Sequence, residues 1–194
     1  MSDSTSEEAA ALSALGYSEE WLDLGVLDSE LLRAQYERMQ SGGSQKTARY
    51  RAEAATLWLA VDVSLDDEEI DGFVSLMKAE PDAKLAKSCI AELIRSPRID
   101  LEQLERAARS DEKLLRSQQA LIGRTCLVRQ MEGGVTDEHM IQVIDSKDAA
   151  IQTSLIRDDR LARRHAELLA QRGVNPTIRE RAQKWSVDKQ FWKS

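Results

Sequence analysis

A helix–break–helix pattern occurs twice between residues 99 and 157, and it constrains the fold more than any other feature. The first copy spans residues 100–122 and the second spans residues 136–156. Each copy opens with a helix-capping residue, continues as a short helix, breaks at a serine beside charged residues and starts a second helix. The offset of roughly 35 residues is typical of stacked helix pairs. The repeat therefore predicts a fold built from helix pairs.

The composition favours helices along the whole chain. Its 194 residues include only 3 prolines and 9 glycines, and 42% of the residues are hydrophobic, which is enough for a core. Aromatic residues make up 5%, while residues of high helix propensity recur throughout. No segment alternates polar and apolar residues with a period of two, so we predict no β-strand. The predicted fold class is all-α.

Apolar residues at spacings of three and four predict four helix pairs from residue 64 onward. Breaks are expected at Pro81, Pro97 and Gly173, and Asn175-Pro176 is a cap followed by proline at the first helical position. Whether one helix ends at Gly123 or runs on to Gly133-Gly134 stays open.

The first 60 residues carry a separate set of helical patterns. A helix from Thr47 to Val61 has Ala54, Leu57, Trp58 and Val61 on one face, which predicts the most buried helix of the N-terminal half. We divide the chain into an acidic N-terminal helical segment (1–43), a repeat domain (44–187) and an aromatic C-terminal tail (188–194). Residues 1–60 either pack on the repeat domain or form a separate arm.

Charge is distributed unevenly along the chain, whose net charge is -7. Residues 1–40 carry nine acidic and two basic side chains, whereas residues 157–194 carry ten basic and five acidic ones. An acidic start and a basic end can attract each other, within one chain or between two copies. The alternative is that both are simply solvated helix faces.

The basic end has two interpretations. Arg157, Arg160 and Arg164 are spaced for one helix face, and such a surface can follow a phosphate backbone. The overall acidity argues against a general nucleic-acid binder. The other interpretation pairs the arginines with nearby acids. Those acids are Asp158, Asp159, Glu167 and Glu180.

The sequence contains no catalytic or metal-binding constellation. His139 and His165 have no matching carboxylate spacing, and His165 shares an apolar face with leucines, which favours a satisfied, semi-buried histidine. Cys89 and Cys126 lie beside aliphatic residues and predict buried thiols rather than a disulfide. We therefore predict no enzymatic activity, no cofactor and no metal. Neither a secretory leader nor an apolar run near 18 residues is present, so we expect a cytoplasmic protein without a membrane partner.

Residues 96–116 resemble bacterial HEAT-like repeats, particularly the leucine-rich-variant kind. Pro97 opens a short helix with two leucine positions, Asp111 begins the next helix, and Leu115-Arg116 is an apolar–arginine pair. The resemblance extends over about residues 64–187. It implies a short, irregular α-solenoid of stacked antiparallel helix pairs. Members of such families mostly bind other macromolecules, usually proteins.

We therefore expect a non-enzymatic protein–protein interaction module or scaffold, such as a bacterial or phage accessory protein with an immunity or assembly role. The candidate partner-binding residues are Arg160, Arg164, Arg179 and Trp192. Phe191 and Trp192 either cap the last helix pair or dock on a partner. The partner is a protein, with self-association as a variant. The alternative function is nucleic-acid binding through the basic helices of residues 157–193.

Overall fold

A computed structural model describes residues 3–132, 134–158 and 160–187. Every regular element in this part of the chain is a helix, which confirms the all-α prediction. The chain divides into two compact units, one ending at Gln119 and the other beginning at Ala120. The predicted boundaries after residues 43 and 187 stay predictions, and the tail of residues 188–194 lies outside the described residues.

The first unit contains eight helices among its described residues. They are α1 (Asp3–Leu15), α2 (Glu20–Asp23), α3 (Ser29–Gln40), α4 (Thr47–Leu59), α5 (Asp67–Ala79), α6 (Ala83–Arg95), α7 (Leu101–Arg109) and α8 (Lys113–Arg116). Helix α1 packs on α3 and α4, and α4 packs on α6, which also contacts α5 and α8. The helices of the first 60 residues therefore pack within the first unit and do not form a separate arm.

Helix α4 buries only part of the predicted face, because Ala54 is buried and Trp58 is half-buried. Leu57 and Val61 are exposed, whereas the buried face carries Tyr50, Arg51, Ala54, Ala55 and Leu59. Leu57 lies seven positions beyond Tyr50, about 20° from it around the helix axis, so helical spacing alone does not explain its exposure. The prediction that Leu57 and Val61 are buried was wrong.

The second unit contains most of α9 (Gln119–Glu132) and four further helices. They are α10 (Asp137–Asp145), α11 (Ala149–Leu155), α12 (Arg163–Arg172) and α13 (Pro176–Val187). Helix α10 packs on α11 and α12, while α13 packs on α11 and α12. Their apolar faces form one core, which includes Val143, Leu155 and Leu169.

The repeated pattern occurs in the structure at both predicted positions. Helices α7 and α10 each have nine residues and begin with a capping box, formed by Asp100 with Gln103 and by Thr136 with His139. The two copies then diverge, because α8 has only four residues whereas α11 has seven. After α8 the chain continues as α9, which does not end at Gly123 but runs on to Glu132.

Candidate partner-binding groove

An open groove lies in the second unit, between residues of α9, α10, α11 and the segment that follows α11. Its volume is about 350 Å³. We call it the α9–α11 groove. Its lining consists of Val128, Met131, Glu132, Val143, Ile151, Ser154, Leu155, Asp158 and Arg160.

Core residues form the floor of the groove. Val143, Ile151 and Leu155 are only 1%, 6% and 3% exposed and belong to the core of the second unit. Val128 stands on one wall with 48% of its surface exposed, and the half-buried Met131 packs against the same core. The surface of the groove is mainly apolar, so binding an apolar side chain there is favoured because it removes apolar surface from water.

The rim of the groove carries the ion pair Arg160–Asp158 and the carboxylate of Glu132. Arg160 donates from Nε and Nη2 to the two carboxylate oxygens of Asp158, at 2.8 and 2.7 Å. The hydrogen bond from Arg160 is the main reason that the pKa of Asp158 lies below its ordinary value. Glu132 is exposed and forms no ion pair with any described residue. The lining therefore carries one net negative charge.

Of the three predicted partner-binding residues that the structure describes, one lines the groove. Arg160 lies on its rim. Arg164, on α12, pairs with Asp137, and Arg179, on α13, donates from Nη1 to the Gly173 carbonyl at 2.7 Å. Trp192 lies outside the described residues. The structure thus does not bring Arg164 or Arg179 into the groove.

Much of the positive charge at the basic end is paired with carboxylates. The pairs are Arg160–Asp158, Arg163–Glu167, Arg164–Asp137 and Arg172–Asp145. The predicted pairing with Asp158 and Glu167 is confirmed, Asp159 is not described, and Glu180 forms no ion pair among the described residues. The partners on α10 lie 27 residues away in sequence, so local spacing could not identify them.

His165 links α12 to the first turn of α10. Its imidazole is buried, with Nε2 2.5 Å from Asp137 Oδ1, and Arg164 contacts the same oxygen. The hydrogen bond with His165 is the main cause of the lowered pKa of Asp137, and the Arg164 charge adds to it. The prediction that His165 is buried with hydrogen-bond partners is confirmed for its Nε2 atom. The Nδ1 atom has no hydrogen-bond partner among the described residues.

Both cysteines of the chain lie in the interior. Cys89 is a buried free thiol, and burial raises its pKa to about 11. Cys126 is also buried, so the prediction of two buried thiols is confirmed. Within the described ranges, no group of three or more His, Cys, Asp or Glu side chains could hold a metal ion. None of the described helices combines the length and apolar character needed to cross a bilayer.

Among the groove residues, the sequence analysis named Asp158 and Arg160 but not Val128, which stands exposed on the wall. A signal for Val128 was present, because Leu127 and Val128 are adjacent apolar residues in a helix. Neighbouring positions on a helix point about 100° apart, so both cannot be central to one buried face. Leu127 is buried in the core and Val128 faces outward, and only the structure shows which of the two is exposed.

Comparison with known proteins does not assign the chain to a family. No protein-family model, curated protein or solved structure matches the chain. The resemblance of residues 96–116 to HEAT-like repeats therefore stays a prediction.

Proposed function

We propose that this chain is a non-enzymatic protein-binding module and that the α9–α11 groove is its contact surface. The observation that carries the proposal is the open apolar groove, with Val128 exposed above a floor of core residues. The occupant we infer is a large apolar side chain of a partner protein, flanked by a lysine or arginine that pairs with Glu132. Apolar anchors of this kind, inserted into pockets, supply most of the affinity of protein interfaces.

We also propose that the helix pairs stack as a short HEAT-like solenoid. Support comes from the second unit, where α10 packs on α12 and α11 packs on α13 in addition to the contacts within each pair. A helix pair buries only part of its apolar surface by itself, so a neighbouring pair is needed to complete the core.

Nucleic-acid binding has less support than protein binding. Four arginines of the basic end already contact carboxylates, which reduces the charge available for phosphates. Arg157, Arg181 and Lys184 form no ion pair within the described residues, and they are the positions at which a phosphate would bind. Such binding would weaken steeply with salt, whereas an apolar anchor would be much less sensitive.

A photo-crosslinking residue at Val128 tests the proposed contact surface in living cells. The matched control places the same residue at Val174, which is also an exposed valine of the second unit but does not line the groove. We expect a discrete crosslinked protein from position 128 and none from position 174. Equal crosslinking at both positions would contradict the proposal.

A substitution that fills the groove provides the second test. Ser154 is exposed in the lining, so Ser154→Arg places a long side chain in the groove without disturbing the core. Affinity for the crosslinked partner is expected to fall at least about tenfold, or about 1.4 kcal/mol. Gln142→Arg adds the same side chain to an exposed position of α10 outside the groove and should leave binding unchanged. Unchanged binding by Ser154→Arg would rule the groove out as the contact surface.

A further inference from the structure

The first unit has an exposed apolar surface of its own, at the end of α4. Leu57, Val61 and Val63 are 51%, 47% and 61% exposed. Leu57 and Val61 lie one helical turn apart, because the turn continues beyond the helix with Ala60 N donating to the Thr56 carbonyl. We call these three side chains the 57–63 patch. Three exposed aliphatic side chains within seven residues make this segment a candidate interaction site.

The backbone beneath the 57–63 patch is held by a buried arginine. Arg98 donates from Nη1 to the Trp58 carbonyl at 2.6 Å and from Nε to the Val63 carbonyl at 2.5 Å. Ser96 Oγ donates to the Leu59 carbonyl at 3.1 Å. Three carbonyls of the segment are therefore bound by residues that follow α6.

Trp58 adds a second constraint on the same segment. Its ring stacks on Phe73 with centroids 5.1 Å apart, and the Arg98 guanidinium carbon lies 4.7 Å from the Trp58 ring centroid. The backbone of the patch is thus fixed before any partner arrives. A partner would not have to order it, and this lowers the entropic cost of binding.

Two acidic residues without ion-pair partners among the described residues lie within and just after the 57–63 segment. Asp62 lies between the two valines, and Glu68 follows in the first turn of α5; both are exposed, and neither forms an ion pair with a described residue. Asp67, in contrast, pairs with Arg106. The whole segment up to Gln119 carries 24 acidic and 14 basic side chains, a net charge of -10. A basic partner is therefore attracted to this unit.

We propose that the 57–63 patch is a docking surface for a basic amphipathic helix of a partner protein. The aliphatic side chains would contact the apolar face of that helix, and its lysines or arginines would lie beside Asp62 and Glu68. A symmetric contact between two copies is disfavoured, because it would bring the same acids together. Anionic lipids and nucleic acids are disfavoured for the same electrostatic reason. This surface is separate from the α9–α11 groove and does not depend on the function proposed for it.

The test uses the full chain and designed helical peptides of about 18 residues, roughly five turns. The probe peptide has leucine along one face and lysine elsewhere, and a second peptide replaces every lysine with glutamate. Fluorescence anisotropy of the labelled peptides measures binding. We expect the lysine peptide to bind and the glutamate peptide to bind at least about tenfold more weakly, because like charges repel.

Matched variants assign the binding to the patch. Val61→Ser with Val63→Ser should weaken binding of the lysine peptide about tenfold, as expected for loss of central apolar contacts. Val174→Ser with Val187→Ser alters two exposed valines of the second unit and should have no effect. Ser154→Arg fills the groove and should likewise leave peptide binding unchanged, so a failure of the groove proposal is distinguishable from a failure of this one.

Three results would overturn the inference. The first is equal binding of the lysine peptide to the wild type and the Val61→Ser, Val63→Ser variant. The second is loss of peptide binding by Ser154→Arg alone, which would assign the peptide to the groove. The third is a wild-type dimer in sedimentation velocity that the double serine variant dissociates, because the occupant would then be a second copy.

Discussion

Buried polar side chains in this protein bind groups that lie far away in sequence. Gln35 accepts from the Tyr17 hydroxyl at 2.8 Å and donates to the Tyr50 carbonyl at 3.1 Å. Burial is the main cause of the raised pKa of Tyr17, which stays protonated and able to donate. A buried polar group without partners costs about 1–3 kcal/mol, so these bonds stabilise the link between α3 and α4.

The charge state of Asp137 should affect stability, because its carboxylate contacts the buried His165. Its carboxylate pKa is lowered by the hydrogen bond with His165 and by the Arg164 charge. A lowered folded-state pKa stabilises the folded protein at pH values above the unfolded pKa, which is about 3.9. That contribution is lost as the pH falls through the lower, folded-state pKa, because the unfolded chain binds the proton first.

Replacing Asp137 with asparagine should therefore reduce the dependence of stability on pH. We expect Asp137→Asn to be less stable than the wild type near pH 6 and to approach it near pH 3, roughly spanning the unfolded pKa. Urea denaturation followed by circular dichroism at several pH values measures this. Asp145→Asn is the control, because its ion pair within the described part of the chain is with the exposed Arg172, at 3.4 Å. Parallel pH profiles for the wild type and Asp137→Asn would contradict the prediction.

At the scale of elements, a buried ion pair joins α4 to the end of α5. Arg51 donates from Nε and Nη2 to the two carboxylate oxygens of Glu80, at 2.9 and 2.8 Å, and both side chains are buried. Arg51 Nη1 also donates to the Gly16 carbonyl, and Glu80 accepts from the Asp82 backbone at the start of α6. Four helices are therefore connected through one pair of side chains.

Breaking this pair should destabilise the first unit strongly. Glu80→Gln leaves the Arg51 charge buried without a counter-charge, and we expect a loss of about 3–5 kcal/mol in the free energy of unfolding. Urea denaturation measures the loss. Glu92→Gln removes an exposed carboxylate paired with Arg95 on α6 and should cost about 0–1 kcal/mol.

A double variant separates the cost of an unpaired charge from the cost of altered packing. Arg51→Met combined with Glu80→Leu removes both charges, and it should recover much of the stability that Glu80→Gln loses. Equal stability of Glu80→Gln and the wild type would show that the buried pair does not hold the helices together.

At the scale of the whole molecule, the two compact units differ in charge and in the surface each exposes. The first unit is acidic, with net -10, whereas the residues from Ala120 onward carry 13 basic and 10 acidic side chains. The first unit exposes the 57–63 patch and the second exposes the α9–α11 groove. The groove therefore suits a single apolar side chain of a partner, and the patch suits the apolar face of a helix.

The division into units predicts that residues 1–119 fold without the rest of the chain. Their core and buried ion pair lie within this range, so we expect a helical spectrum and a cooperative thermal transition. Circular dichroism and calorimetry of the fragment measure both. The control fragment, residues 1–95, lacks Arg98 and should lose the cooperative transition. A non-cooperative melt of residues 1–119 would contradict the predicted independence.

Local features of the fold could be predicted because they depend on neighbouring residues. Asp28 caps α3, Asn175 caps the helix that begins at Pro176, and Gly173 follows the last residue of α12. Capping bonds and proline restrictions act over three or four residues, so the sequence contains all the information they require. The capping boxes of α7 and α10 are also local, because each joins two residues three positions apart.

The candidate sites depend on contacts that no local pattern specifies. An apolar stripe predicts that a helix face is buried but does not identify the neighbour that covers it. Val128 and Val61 are therefore exposed although each lies in an apolar run, and the partners of Arg51 and Arg164 lie 29 and 27 residues away. The sequence by itself determined the all-α class and the helix ends that a capping residue, glycine or proline marks. Only the tertiary structure decided which apolar surfaces remain open for a partner, because that depends on how distant helices pack.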